Sequence, residues 1–250
     1  MPADSGAIAA GAGSVLADYD ALVADGALTA DPAQRALAAR LDGLVDDLAQ
    51  ARQPPSLGAL GRLFGGRPRP VPGLYIHGSV GRGKTMLMDA FFAAAPVARK
   101  RRTHFHEFMA DVHDRIHVAR ADRSASDPIA SVAKGIAEET RLLCLDEFAV
   151  EDIADAMILS RLFEALFGRG LVLVATSNAE PEALYRDGLN RALFLPFIAV
   201  LRSHVAVVEL GARTDYRLEM LGGAPVYVTP LGAAADAALD RIWRGLTGTV

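Results

Sequence analysis

The chain has 250 residues, 51% hydrophobic and 22% charged, with a formal net charge of −4. That length and apolar content allow one large domain or two small ones with a real core. The negative balance argues against a dedicated nucleic-acid or membrane surface, though a local basic patch stays open. The single cysteine, Cys144, excludes an intrachain disulfide and suits a reducing compartment. No Lys or Arg precedes Arg35, unlike a secretory signal or an Arg-rich presequence. The longest apolar run, 192–201, contains Pro196 and is too short to span a bilayer. A cytoplasmic location is the expectation.

In chain order, residues 14–50 read as two helices. Leu16, Tyr19, Leu22 and Val23 recur at helical spacing. Leu37, Leu41, Leu44, Val45 and Leu48 do so in a second helix that opens near Asp31-Pro32. This helical leader is assigned to 1–60, and a Gly/Pro/Arg-rich linker to 61–72. From Gly73 the pattern alternates strands and helices. Strands are expected at 74–77, 103–106, 142–146, 171–176 and 205–209. Helices are expected at 84–94, 108–120, 151–168 and, in broken form, 181–201. Such alternation predicts an α/β fold: a five-stranded parallel sheet with helices on both faces, spanning 73–222. A short tail, 223–250, completes the chain, with one more helix expected over 231–246.

Residues 78–85 read Gly-Ser-Val-Gly-Arg-Gly-Lys-Thr, the pattern of a phosphate-binding P-loop between a strand and a helix. Gly78, Gly81 and Gly83 allow backbone conformations that a side chain forbids. The N–H groups of Gly78, Ser79, Val80, Gly81, Arg82 and Gly83 then face an anion, aided by the positive end of the next helix. Lys84 is expected on the β- and γ-phosphates, and the Thr85 hydroxyl on Mg²⁺. The ligands implied are ATP and Mg²⁺. No Asn-Lys-x-Asp guanine motif occurs, which disfavours a GTPase.

The run Leu142-Leu143-Cys144-Leu145 ends in Asp146-Glu147, at the carboxyl end of a strand, where α/β sheets bind ligands. Asp146 is expected to help hold Mg²⁺, and Glu147 to orient and deprotonate the attacking water. The next apolar run ends in Thr176-Ser177-Asn178. Asn178 is a candidate to position that water or sense the γ-phosphate; a turn or cap before Pro181 is the alternative. A stabilising arginine finger is sought between 185 and 191, with Arg191 preferred over Arg186. A finger acting in trans requires a dimer or a ring.

Other clusters carry less. His104 and His106 alternate on an expected strand, and His113 and His117 lie one helical turn apart, but without a Glu-x-x between them. The basic run 99–102 reads as a solvated flank before a strand, with a nucleic-acid contact as the alternative.

Several segments together resemble one family. They are 73–85, Thr-His-Phe-His-Glu-Phe-Met (103–109), Leu-Leu-Cys-Leu-Asp-Glu-Phe (142–148), Asp-Ile-Ala-Asp-Ala-Met (152–157) and Ala-Thr-Ser-Asn (175–178). Leu-Tyr-Arg-Asp-Gly-Leu-Asn-Arg (184–191), Thr-Asp-Tyr-Arg (214–217), Tyr19 and Asp31-Pro32-Ala33-Gln34 continue the match. The chain resembles the ZapE cell-division ATPases of bacteria and their mitochondrial relatives, of the AAA+ class, from about residue 18 to about 246. The resemblance implies an oligomeric AAA+ ATPase on the inner side of the cytoplasmic membrane. Bacterial members are linked to the division-ring filament protein, and mitochondrial ones to turnover of membrane-complex subunits. It implies the same roles for Lys84, Thr85, Asp146, Glu147 and Asn178. It offers only Arg217 as a second sensor arginine. The family usually continues past the position of Val250, so the expectation is of ATP binding that outlasts hydrolysis. An ATP-switched adaptor or loader for DNA machinery, touching nucleic acid through 99–102, is the competing expectation.

Overall fold

The computed structural model describes residues 13–52, 70–121, 127–211, 232 and 235–237. The expected linker at 61–72 falls almost wholly outside these residues, as do Arg217 and most of the expected helix at 231–246.

The leader forms α1 (Val15–Ala24) and α2 (Pro32–Arg52). Ser14 caps α1 by accepting from the Ala17 N–H at 3.1 Å. Asp42, on α2, accepts from the Ser14 hydroxyl at 2.7 Å and from the N–H groups of Val15 and Leu16. One carboxylate thereby satisfies the start of α1 and ties the two helices together. Asp31 starts α2 in the same way, accepting from the N–H groups of Ala33 and Gln34. Pro32 occupies the first helical position, where its missing N–H costs nothing.

The sheet has five parallel strands: β1 (Gly73–His77), β2 (Lys100–His104), β3 (Leu142–Asp146), β4 (Val172–Ser177) and β5 (Val205–Glu209). Their order is β2-β3-β4-β1-β5. The helices after the leader are α3 (Lys84–Ala94), α4 (Phe105–Ala121), α5 (Pro128–Glu139), α6 (Ile153–Phe167) and α7 (Leu195–His204). The central strands β3 and β4 are buried along their whole length, as their unbroken apolar runs require.

Side chains alternate along each strand and feed two cores. Tyr75, Leu143, Leu145, Leu173 and Ala175 join a core of Phe105, Phe108, Phe148, Phe163 and Phe197. Leu74, Ile76, Leu142, Cys144 and Val174 turn to the other face, against Met88 and Phe91 of α3 and Tyr19, Leu37 and Leu41 of the leader. Both faces are covered by helices, as expected, and the leader supplies part of the cover on one of them.

Cys144 is fully buried there, and burial pushes its thiol up to about 12. A thiol-reactive chromogenic reagent should therefore leave the native protein unmodified and titrate one thiol in denaturant. Fast reaction of the native protein would contradict this packing.

Several boundaries differ from the expectations. The second strand was expected at 103–106 but is Lys100–His104, and Phe105 already opens α4. β2 is an edge strand, so it tolerates charge and needs no apolar run. Phe105 is helical because its ring enters the core beside Phe148, with centroids 4.4 Å apart. The basic run therefore lies largely within the strand, not before it. α5 was missed by the reading of periodicity. Its signal was Asp127-Pro128: Asp127 caps the helix by accepting from Ile129 and Ala130 N–H groups. The stretch 181–201 resolves into two 3₁₀ turns, Pro181–Ala183 and Arg191–Leu193, followed by α7.

Candidate functional site: a phosphate-binding pocket at the strand ends

β1 lies between β4 and β5, with His77 level with Ser177 of β4. β4 lies in turn against β3. All strands run parallel, so the P-loop after β1, Asn178 after β4 and Glu147 after β3 emerge along the same sheet edge. The strand order reverses between β4 and β1, and the carboxyl ends of strands at such a point are the usual place for a ligand in these sheets. A pocket of about 360 Å³ opens there. Its wall includes the loop 80–86 together with Glu147, Thr176, Ser177 and Asn178.

The loop has the backbone that a phosphate cradle needs. Gly78 has φ +150°, and a Cβ on it would lie 2.4 Å from the Leu210 carbonyl oxygen. Gly83 has φ +76°, in the left-handed region. It precedes α3, whose first N–H groups have no side-chain cap. Lys84 is buried, and its Nζ donates to the carbonyls of Gly78 at 2.6 Å and Ser79 at 2.8 Å and to Asn178 Oδ1 at 3.1 Å. Burial, with a smaller push from Arg82, lowers its pKa from the usual lysine value. Thr85 stands exposed on the pocket wall.

Asn178 does not cap the 3₁₀ turn at Pro181; Glu180 occupies that position. Its side chain is instead tied to Lys84, so the end of β4 is coupled directly to the P-loop.

Asp146 is buried, and its two oxygens are already engaged. Oδ1 accepts from the Thr176 hydroxyl at 2.8 Å. Oδ2 accepts from Arg102 Nη2 at 2.5 Å, and Arg102 also pairs with Asp89 of α3. Glu147 is exposed and has φ +53°, an uncommon state for a non-glycine residue. Its N–H donates to Thr176 Oγ1 at 3.2 Å. The Phe148 N–H donates to the Thr176 carbonyl, and the Ser177 hydroxyl donates to the Phe148 carbonyl. These bonds to β4 hold the turn on both sides of Glu147. Thr176, Arg102 and Asp89 were not singled out from the sequence. Thr176 had one local signal, a polar residue at the end of a buried strand.

Arg191 does not line this pocket. Its guanidinium donates to the carbonyls of Arg186 at 3.0 Å and Glu182 at 2.5 Å. Arg186 lies 3.6 Å from Glu180. The basic run is also committed within the chain. Arg99 donates to the Glu138 carbonyl, and Lys100 to the Phe92 and Ala95 carbonyls at the end of α3. Arg101 pairs with Asp111. Among the histidines, His113 Nε2 lies 2.6 Å from Asp155 Oδ1, and His106 lies on α4 rather than on the strand.

The residues present fit a nucleoside triphosphate with Mg²⁺. A loop with left-handed glycines, an uncapped helix start and an ammonium suit phosphate. The oxygen donors Thr85 and Asp146 suit a hard cation.

The family described as AFG1-like ATPase matches residues 14–249. The chain is 41% identical over 233 residues to the cell division protein ZapE of Escherichia coli strain K12, across 90% of this chain and 61% of that protein. It is 47% identical over 189 residues to lactation elevated protein 1 homolog B of Danio rerio, across 72% of this chain and 38% of that protein. It thus spans less than two thirds of the length of either relative. Among solved structures, AMPPCP-bound DnaA from Aquifex aeolicus shares the fold, with a TM-score of 0.50 at 16% identity over 88% of this chain and 65% of that one. The match from the leader through the P-loop to the end of the chain, with the pocket just described inside it, makes this protein a member of the AFG1-like ATPase family.

Proposed function

We propose that this chain binds ATP with Mg²⁺ and hydrolyses it as an AAA+ ATPase acting in cell division. The carrying observation is the convergence of Lys84, Thr85, Glu147 and Asn178 on one pocket at the strand ends, with Asp146 buried behind its Thr176 wall. The P-loop N–H groups and Lys84 hold the triphosphate. Thr85 and Asp146 would hold Mg²⁺, which would supply charge neutralisation for the triphosphate. Glu147 takes a proton from the attacking water, and Asn178 links the state of the neighbouring strand to Lys84. The Arg102–Asp146 pair must loosen for Asp146 to serve a cation.

The division role is taken from the name of the Escherichia coli relative. A division-ring filament protein is the proposed partner, with peripheral association at the membrane division site. No helix among the described residues is long and apolar enough to cross a membrane. A cytoplasmic location and a homo-oligomeric ring complete the reading. Arg191, absent from its own chain's pocket, is the proposed finger for a neighbouring subunit's site. The loader reading loses support because the basic run already has partners within the chain.

The test is phosphate release with Mg²⁺ or EDTA, measured against protein concentration. Turnover should need Mg²⁺. Specific activity should rise with concentration as subunits assemble, and sedimentation should show larger species with ATP. Arg191→Ala should cost about 10³-fold in kcat with assembly retained, the lower end of the effect of an arginine finger. Flat specific activity and an unaffected Arg191→Ala enzyme would remove the shared site. Turnover unaffected by EDTA would remove the Mg²⁺ role.

A further inference from the structure

The start of α2 forms a buried corner against the P-loop. The Tyr19 hydroxyl donates to the Asp31 carbonyl at 3.1 Å and accepts from the Asp31 N–H at 2.8 Å, so both backbone groups of Asp31 are fixed. Asp31 Oδ1 caps α2, and its Oδ2 takes Arg82 Nη2 at 2.9 Å. The Arg82 side chain is only 4% exposed, so this loop residue is committed to the leader. Beside it Gln34, 7% exposed, donates from Nε2 to the Arg82 carbonyl oxygen at 3.0 Å. A carbonyl only accepts, so the amide nitrogen must be the atom that faces it.

That bond has a geometric consequence. The peptide joining Arg82 to Gly83 is planar and trans, so its C=O and its N–H point in opposite directions. Holding the Arg82 oxygen toward Gln34 turns the Gly83 N–H away from Gln34. Gly83 lines the pocket and Gln34 does not. The same hydrogen bond that buries the oxygen therefore presents the N–H to the pocket. The contact is close: a Cβ on Gly83 would lie 3.0 Å from Gln34 Nε2. Glycine at this position lets the glutamine approach as well as letting the loop turn.

We propose that Gln34 is a positioning residue for phosphate binding, acting through the Arg82–Gly83 peptide. Tyr19 and Asp31 fix the corner from which it acts. The leader is then part of the nucleotide site through a residue that does not itself line the pocket. This rests on the nucleotide-binding reading above. Without the bond the peptide is free to rotate, and an anion must restrain it on binding. The effect falls on affinity and on KM, with little on the chemical step.

Gln34→Met keeps the length and approximate volume of the side chain and removes the donor. Binding of Mg·ADP by calorimetry, steady-state kinetics and the melting temperature of the nucleotide-free protein make the test. The Kd for Mg·ADP and the KM for ATP should both rise by about tenfold, with kcat nearly unchanged. The nucleotide-free protein should melt close to wild type, and its Gly83 amide resonance should move. Gln34→Lys, which restores a donor toward the same carbonyl, should recover part of the affinity. Wild-type affinity in Gln34→Met would overturn the proposal. So would parallel losses of affinity and melting temperature with no recovery in Gln34→Lys, since packing alone would then explain both. Failure of the wild-type protein to bind ADP or ATP at all would instead sink the nucleotide reading itself.

Discussion

Glu147→Gln should reduce steady-state phosphate release to background while the protein still binds ATP. The substitution is isosteric, and nothing that places the residue depends on its carboxylate. The backbone at φ +53° is held by the Glu147 N–H on Thr176 Oγ1, the Phe148 N–H on the Thr176 carbonyl and the Ser177 hydroxyl on the Phe148 carbonyl. All three survive in the amide variant. What is lost is a proton acceptor at the pocket wall, a role worth about 10²–10⁴ in rate. Binding should hold or tighten slightly, since a negative charge near the triphosphate disappears. Rates measured under single-turnover conditions separate chemistry from product release. If the variant hydrolyses at the wild-type rate, Glu147 is not the base, and the exposed carboxylate is only the solvated end of β3.

Lys84→Ala should abolish ATP and ADP binding at concentrations that saturate the wild-type protein. The ammonium is buried, and in the structure it is held by the Gly78 and Ser79 carbonyls and by Asn178 Oδ1. Truncating a buried charge aimed at an oppositely charged ligand should weaken binding about a hundredfold or more, the factor for roughly 3 kcal/mol. The fold should survive. Ser79 and Asn178 are exposed and Gly78 is half-buried, so water replaces the lost donor at a cost below about 1 kcal/mol. The measurements are calorimetric titration with Mg·ATP and a thermal melt without nucleotide. Unchanged affinity in a folded variant would show that the pocket does not bind phosphate through the loop.

The two predictions differ in how legible their residues were. Lys84 and Thr85 belong to an eight-residue pattern whose chemistry is local, so spacing alone marks them as candidates. Asp146 and Glu147 were legible because a buried parallel strand is an apolar run, and its end is visible where the carboxylates begin. Asn178 carried a competing reading as a turn or cap; its bond to Lys84 places it at the P-loop, and Glu180, not Asn178, occupies the N-cap position of the next turn. Periodicity failed at β2, where an edge position admits Lys100, Arg101 and Arg102, and at α5, where the cap was present but the helix was not recognised. Arg102 counted only as part of a basic run, and nothing near it in the chain marks Asp146 as its partner.

By itself the sequence determined the phosphate-binding loop, the strand end that carries Asp146 and Glu147, the helical leader and the alternation that makes a parallel sheet. Each depends on residues within one element or one turn, where backbone geometry and burial act locally. The tertiary structure alone decided that β1 lies between β4 and β5, and hence that Asn178 meets Lys84. It also decided that Thr176 and Arg102 hold Asp146, and that Gln34 of the leader holds the Arg82 carbonyl. These are hydrogen bonds between residues far apart in the chain. Their partners are chosen by which elements pack together and in what register, and no local pattern records that choice.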